Sequence, residues 1–215
     1  MKQINFYVWI MVIVFVFSAC IRDKKVDPAL SDTSQTAIIQ ASPKAEKYTK
    51  ADTVKAVGQE VILAFERKDY TELVKYFSTK GVLFSPYANL APRKQVKLTG
   101  EEFLAAIKSK QVYKWGEYDG TGEEIKLTLA DYLQKFVTKA PFSEAEAISF
   151  DAVMKKGNTI DNIWKIFPEA HYVEYHFSGI DPQYEGMDWT SLRLVFECID
   201  DEYYLVAVVQ DQWTV

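Results

Sequence analysis

Three runs toward the C-terminus alternate apolar and polar side chains: "HYVEYHF" (171–177), "SLRLVFECID" (191–200) and "YYLVAVVQDQW" (203–213). Alternation of this kind sends successive side chains to opposite faces of a pleated strand, so each run reads as a strand with one core-facing side. Only the acidic pair Asp200–Asp201 and its neighbours separate the latter two, which therefore form a hairpin. Such a meander must bury its apolar face against something, and the preceding sequence supplies helices.

"DTVKAVGQEVILAFERKD" opens on Asp52 as an N-cap and carries a rough stripe through Val54, Val57, Val61, Leu63, Ala64 and Phe65. "YTELVKYF" buries Leu73, Val74 and Phe77 on a second, short helix. "GVLFSPYANL" reads as a strand stopped at the Ser85–Pro86 step. "LTGEEFLAAIKS" contains a capping box, Thr99 with Glu102. "YKWGEYDGTGEE" is turn chemistry, "EIKLTL" a strand, and Thr128 with Asp131 caps "LADYLQKFV". "AISFDAVMKKGN" leads from a strand to a loop, and "TIDNIWKIFP" sets Ile160, Ile163, Trp164 and Phe167 on one helical face. Helices followed by an antiparallel meander make an α+β domain: N-terminal helices packed on a curved C-terminal antiparallel sheet.

The other end of the chain has a different character. Lys2 precedes an apolar run from Phe6 to Phe17, too short for a comfortable bilayer span of about 20 residues and suited to the core of a secretory leader. The run ends in "FSAC", which resembles the lipobox of bacterial lipoproteins, with Phe17 where that pattern usually has Leu. The resemblance implies a signal peptide at 1–19 and acylation, including palmitate, of Cys20; an uncleaved N-terminal anchor is the alternative. Residues 20–50 are polar, contain two prolines, and read as a flexible tether with a reach of about 30 Å. The remaining 51–215 suffice for one globular domain. The expected location is extracytoplasmic, in the cell envelope, with the membrane engaged through the lipid.

A second resemblance covers the globular part. "AFERKDYTELVKYFSTKGVLF" and the final hairpin resemble the opening and closing segments of the nuclear transport factor 2-like superfamily, which implies a cone-shaped α+β fold enclosing a pocket. "GVLFSPYA", "YKWGEYDGTGE", "KGNTIDN", "VEYHFSGIDPQYEGMDWTSLRLVFE" and "DQWTV" are similar to a family of bacterial lipoproteins without an established activity. That family supplies no catalytic residues to carry over.

The candidate site comes from the strand periodicity. Tyr172, Glu174 and His176 share one face of their strand; Ser191, Arg193, Val195 and Glu197 share a face of the next. Antiparallel pairing brings Glu174, His176, Arg193 and Glu197 together. A carboxylate beside a histidine suits general acid–base chemistry, and an arginine suits bidentate capture of an anion. The simpler reading is cross-strand charge pairing on a solvated sheet face. Asp188, in the loop "SGIDPQYEGMDW", is a further pocket candidate and also a residue able to cap backbone amides. A calcium site from Asp181, Glu185 and Asp188 is the weaker alternative, because the spacing is not that of an EF-hand loop. Asn158 or Thr159 is expected to cap a helix rather than to bind a ligand.

The chain has 13 Tyr, 13 Phe and 5 Trp, enough for a large core, with Trp115, Trp189 and Trp213 as core residues or pocket walls. Cys198 sits in an apolar strand pattern and is expected to be a buried, inert thiol. Two histidines and no Cys/His spacing call for neither metal nor cofactor. A net charge of -5 without a basic stripe argues against nucleic acid. No phosphate loop or nucleophile elbow is present. The leading expectation is a membrane-tethered binding or accessory domain for a small molecule or an envelope protein. The rivals are a hydrolase or isomerase using Glu174 and His176 in a pocket, and a structural envelope protein.

Overall fold

The computed structural model describes residues 48–214. The 1–19 leader, Cys20 and nearly all of the 20–50 tether lie outside those residues. Helix α1 spans Lys50–Glu66, and its N-cap is Thr49. Asp52 is not the cap; it is the third helical residue of a capping box, accepting from the Thr49 amide while its own amide donates to Thr49 Oγ1. A box of this kind satisfies two orphan amides reciprocally. α2 (Tyr70–Leu73) follows, capped by Asp69. The chain then enters strand β1 (Val82–Ser85) and a short β2 (Lys97–Leu98). α3 (Gly100–Lys108) carries the expected Thr99–Glu102 box.

"YKWGEY" is more regular than a turn. Strands β3 (Val112–Glu117) and β4 (Glu124–Thr128) form a separate antiparallel hairpin, with a bulge between Lys114 and Glu117. Gly116 sits in that bulge at φ +149°. α4 (Leu129–Tyr132) is capped by Thr128 and runs on as a π-helical turn through Val137. β5 (Ala147–Phe150), a single helical turn α5 (Ile163–Ile166), β6 (His171–Phe177), β7 (Thr190–Ile199) and β8 (Glu202–Gln212) complete the domain.

These elements form an α+β domain with a curved sheet. The main sheet has the order β2-β1-β8-β7-β6-β5 and is antiparallel except where β1 joins β8 in parallel. Asp200 and Asp201 both have positive φ and turn β7 into β8. That is the backbone of a type I′ hairpin, whose twist matches that of the strands.

The inner face of the sheet packs on the helices. Val173, Tyr175, Leu192, Leu194, Phe196 and Val208 join Val54, Val61 and Phe65 of α1 and an aromatic group of Phe84, Phe103, Trp115, Tyr132 and Phe136. Trp115 and Tyr132 stack with centroids 3.8 Å apart. The interior that the cone resemblance would leave for a pocket is thus occupied by rings. Trp115 and Trp189 are buried, while Trp213 is 45% exposed.

The outer face is not solvated. The segment between β5 and β6 lies over it, and Ile163 and Ala170 pack with Leu83, Leu90, Tyr172, Val195, Ala207 and Val209. The predicted amphipathic helix over "TIDNIWKIFP" is therefore reduced to α5. Ile163 is buried, but Ile160 is 75% and Trp164 44% exposed. Cys198 also differs from expectation. It stands exposed, as a free thiol, near the hairpin end of β7 rather than in the core.

Gly58 marks the closest approach of α1 to the sheet. A Cβ there would meet the Tyr175 hydroxyl at 2.7 Å. That hydroxyl is buried and has no hydrogen-bond partner. Gly58→Ala is therefore expected to destabilise by about 1–3 kcal/mol through overpacking, against the helix-propensity gain of about 1 kcal/mol. Tyr175→Phe should be neutral or stabilising and should rescue most of the loss. A double-mutant cycle from urea unfolding measures this; two additive effects would refute the contact.

Candidate functional site

The register of the sheet builds the site. Glu174 of β6 lies opposite Arg193 of β7, His176 opposite Ser191, and Ser191 opposite Asp211 of β8. Glu174, Arg193 and Ser191 are fully buried, and His176 and Asp211 nearly so. Arg193 Nε donates to Glu174 Oε2 at 2.8 Å, Nη2 to Asp211 Oδ2 at 2.9 Å, and Nη1 to Asp161 Oδ2 at 3.2 Å. Glu174 Oε1 also accepts from Ser191 Oγ at 2.7 Å. Burial alone would pull the Arg193 guanidinium down; the Glu174 and Asp211 carboxylates outweigh it and hold the group charged. Desolvation pushes Asp211 up to about 6, with Arg193 pulling in the other direction.

Of the predicted site residues, Glu174, His176 and Arg193 do converge. They meet inside the protein, between the sheet and its covering segment, rather than on a solvated face. Glu197 is opposite Tyr204, past the last β6–β7 pair, and takes no part. Asp188 is also elsewhere. Its Oδ2 accepts from the amides of Ile180 and Asp181 at 3.0 and 2.7 Å, which pins the β6–β7 loop. Asp181 is occupied with the amide and side chain of Gln183. Among the described residues no group of three or more His, Cys, Asp and Glu is arranged to hold a metal ion.

The order of the hydrogen bonds determines what this cluster can do. Ser191 has one hydroxyl proton, and it goes to Glu174. His176 Nδ1, 2.8 Å from Ser191 Oγ, must then be the donor to that oxygen. The chain runs Glu–Ser–His. A nucleophilic triad needs the histidine in the middle, taking the serine proton with a carboxylate behind it. Burial further lowers the His176 pKa, with Glu174 opposing, so the ring is kept neutral. The arrangement ties strands together and does not activate Ser191.

Asp161 and Asp211 were missed by strand periodicity; Ser191 was placed on the right face but not taken as a site residue. Asp161 comes from a segment read as helix, and Asp211 from the far strand. Both lie in quoted motifs, "KGNTIDN" and "DQWTV", whose polar residues turn out to be the fastenings of the covering segment. Asn158 does not cap a helix; its Nδ2 donates to the Thr214 carbonyl at 3.2 Å. Asn162 clamps the backbone of Leu90, accepting from its amide at 2.7 Å and donating to its carbonyl at 2.9 Å. Lys155 reaches the Gly186 carbonyl and lies 5.4 Å from the Trp189 ring centroid.

Two clefts open on this side. The first, about 790 Å³, is lined by Asn89, Asp151, Val153, Lys156, Ile160, Asp161, Asn162, Trp164, Lys165 and Tyr172. The second, about 920 Å³, lies between the β1–β2 connection and the β3–β4 hairpin, and includes Tyr87, Asn89, Gln95, Tyr118 and Thr159. Asp161 belongs both to the first cleft and to the buried network, and its Oδ1 also accepts from the Ile163 amide at 3.0 Å. Asp151 is similarly fixed by the Tyr172 amide and by His171 Nδ1.

With this geometry in hand, the known proteins add little. No protein-family model matches the chain, and no curated protein matches it. Among solved structures, the chain is similar to a nuclear transport factor 2-like protein from Cytophaga hutchinsonii at 9% identity, covering 77% of this chain and 99% of that one, with a TM-score of 0.37. It is similar to a DUF4783 family protein from Bacteroides ovatus at 12% identity, covering 73% and 94%, with a TM-score of 0.33. A nuclear transport factor 2-like protein of unknown function from Shewanella oneidensis shares 13% identity over 76% and 99%, with a TM-score of 0.30. The α+β class stands on the chain's own helices and sheet, and likenesses at this level carry no function.

The network has a pH signature. Asp211 ionises near pH 6 when folded and near 3.8 as an isolated group. Between those values the folded state binds more protons than the unfolded one, so this group's contribution to stability falls as pH rises. Asp211→Asn removes that term. The stability of the variant relative to the parent should rise by on the order of 2 kcal/mol from pH 4 to pH 7. Urea midpoints at several pH values measure this, and a pH-independent difference would contradict it. Arg193→Met should cost about 3–5 kcal/mol, because it leaves buried carboxylates uncompensated.

Proposed function

We propose that the protein is a membrane-tethered domain of the bacterial cell envelope that binds a small polar ligand in the cleft between the β5–β6 segment and Asn89. The leader, the lipobox-like "FSAC" and the polar 20–50 stretch support the tether, with Cys20 as the acylated residue. The observation that carries the binding reading is Asp161. One carboxylate faces the cleft and is held by Arg193, a fully buried side chain, so the cleft wall is prepositioned by the core. Prepositioned polar groups beside an apolar surface are what orient a small ligand at low entropic cost. The apolar surface here is Trp164, 44% exposed, with Tyr172 5.4 Å from it between ring centroids.

The hydrolase alternative loses support from the Glu–Ser–His order and from the burial of all three groups. A purely structural role does not account for an exposed tryptophan in a cleft of this size. The ligand is polar and carries no large net charge, because Lys156 and Lys165 balance Asp151 and Asp161 along the walls.

Two measurements test the reading. Cys20→Ala should lose incorporation of a fatty-acid probe and release the protein from the membrane fraction; unchanged labelling would refute the tether. In a thermal-shift screen of amino acids, polyols and sugars, at least one compound should stabilise the protein, by about 2.7 kcal/mol at a hundredfold excess over Kd. Trp164→Ala should remove that shift while leaving the unliganded Tm within about 1 °C, since surface changes cost little. An equal shift in the variant, or no shift from any compound, would overturn the binding reading.

A further inference from the structure

The two clefts adjoin at Asn89, which lines both. Across from it the β5–β6 segment contributes Thr159 to the second cleft and Ile160 to the first. Each cleft, at about 790 and 920 Å³, already has the size of a complete small-ligand pocket. Joined, they exceed what one small molecule fills, so the shape suits a chain of repeating units.

The chemistry of the second cleft narrows the class. Its charges balance rather than accumulate: Lys114 Nζ lies 3.2 Å from Glu117, and Lys94 and Asp119 add one charge of each sign. No excess of one sign gathers there to capture a phosphate, a sulfate or an ammonium group. Gln95 is spent on the backbone and Ser85, accepting from the Ala91 amide at 2.8 Å and donating to Ser85 Oγ at 2.7 Å. Tyr118 is held in place by Lys135, whose ammonium donates to the hydroxyl at 2.5 Å and sits 4.5 Å from the ring centroid. Asn89, exposed at the junction, has no side-chain hydrogen bond among the described residues. The groove therefore offers a fixed ring in each half, Trp164 and Tyr118, and an unspent amide between them. Rings cover the C–H faces of sugars, and amides and carboxylates take their hydroxyls.

We infer that the groove binds a neutral oligosaccharide that spans both clefts, with Trp164 and Tyr118 each stacking on a sugar ring and Asn89 bonding hydroxyls between them. This rests on the binding reading of the first cleft and adds to it the second cleft and the ligand class. A peptide is the poorer fit. The groove carries charges of both signs, with no excess gathered to answer a peptide terminus.

The test is calorimetric titration of the full-length protein in detergent with neutral gluco-, manno-, galacto- and xylo-configured saccharides, from monosaccharide to hexasaccharide. One series should gain affinity by about tenfold or more between the monosaccharide and the tri- or tetrasaccharide, then level off. Tyr118→Ala, in the second cleft alone, should reduce the gain with length and leave monosaccharide affinity unchanged, whereas Asn89→Ala, which lines both clefts, should reduce the gain and weaken the monosaccharide as well. Trp164→Ala should weaken every member. Asn89→Ala removes an exposed, unbonded side chain, so its effect is free of folding loss. Affinity independent of length, or a length gain untouched by both Asn89→Ala and Tyr118→Ala, overturns the spanning groove while the first-cleft reading survives. Binding of amino acids or polyols in the thermal screen with no saccharide bound overturns the ligand class alone. No binding in either experiment overturns both.

Discussion

A guanidinium with no solvent exposure needs partners for its charge and its donors, and much of this domain's outer layer exists in relation to that need. Arg193 sits in the middle strand of the β6–β7–β8 meander and draws a carboxylate from each side and a third from above. Desolvating such a group is costly, and mutual attraction repays the cost only when geometry is good and the remaining donors are met. Here the partners come from β6, β8 and the segment over the sheet, so meeting the electrostatic demand also fixes the position of that segment. An apolar residue in place of Arg193 would bury well against Val195 and Val209, yet would leave Asp161 with only the Ile163 amide to hold it.

The inner face follows a different logic. Packing there is by shape: rings fill the space between the helices and the sheet, and α1 comes close enough to Tyr175 that position 58 takes glycine. One sheet therefore has a dry aromatic side and a hydrogen-bonded polar side, and the two faces are stabilised by interactions with opposite sensitivities. Cavity creation would damage the first; loss of one charge partner or a change of pH would damage the second.

The α+β class, the meander, the Thr99 box and the Thr128 cap were legible because each rests on local periodicity or on a short capping pattern. The convergence of Glu174, His176 and Arg193 was legible too, since strand period and antiparallel pairing fix it. The environment of that trio was not. Nothing in the alternation of 171–177 and 191–200 says what lies above the polar face, and opposite charges there fit solvent as well as burial. The apolar residues sharing that face, Tyr172 and Val195, were the available signal that it is covered. "TIDNIWKIFP" misled because its 3.6-residue spacing is real, but Asp161 and Asn162 are spent on Arg193 and Leu90, which holds most of the segment out of the helix. Cys198 was misplaced because a strand pattern does not reveal where its partner strands end.

The pairing of β1 with β8 has a consequence for how the chain acquires its structure. β8 is the last sheet strand in sequence, yet it sits between β7 and β1, so the two halves of the sheet cannot join until it arrives. The first sheet strand waits for a neighbour more than a hundred residues downstream. Contacts this distant in sequence slow folding, because loop-closure entropy must be met before the contact rewards it. A nascent chain lacking its final segment holds an open edge and no completed core. Completion of the sheet therefore falls to the last residues made, whatever the order in which the helices form.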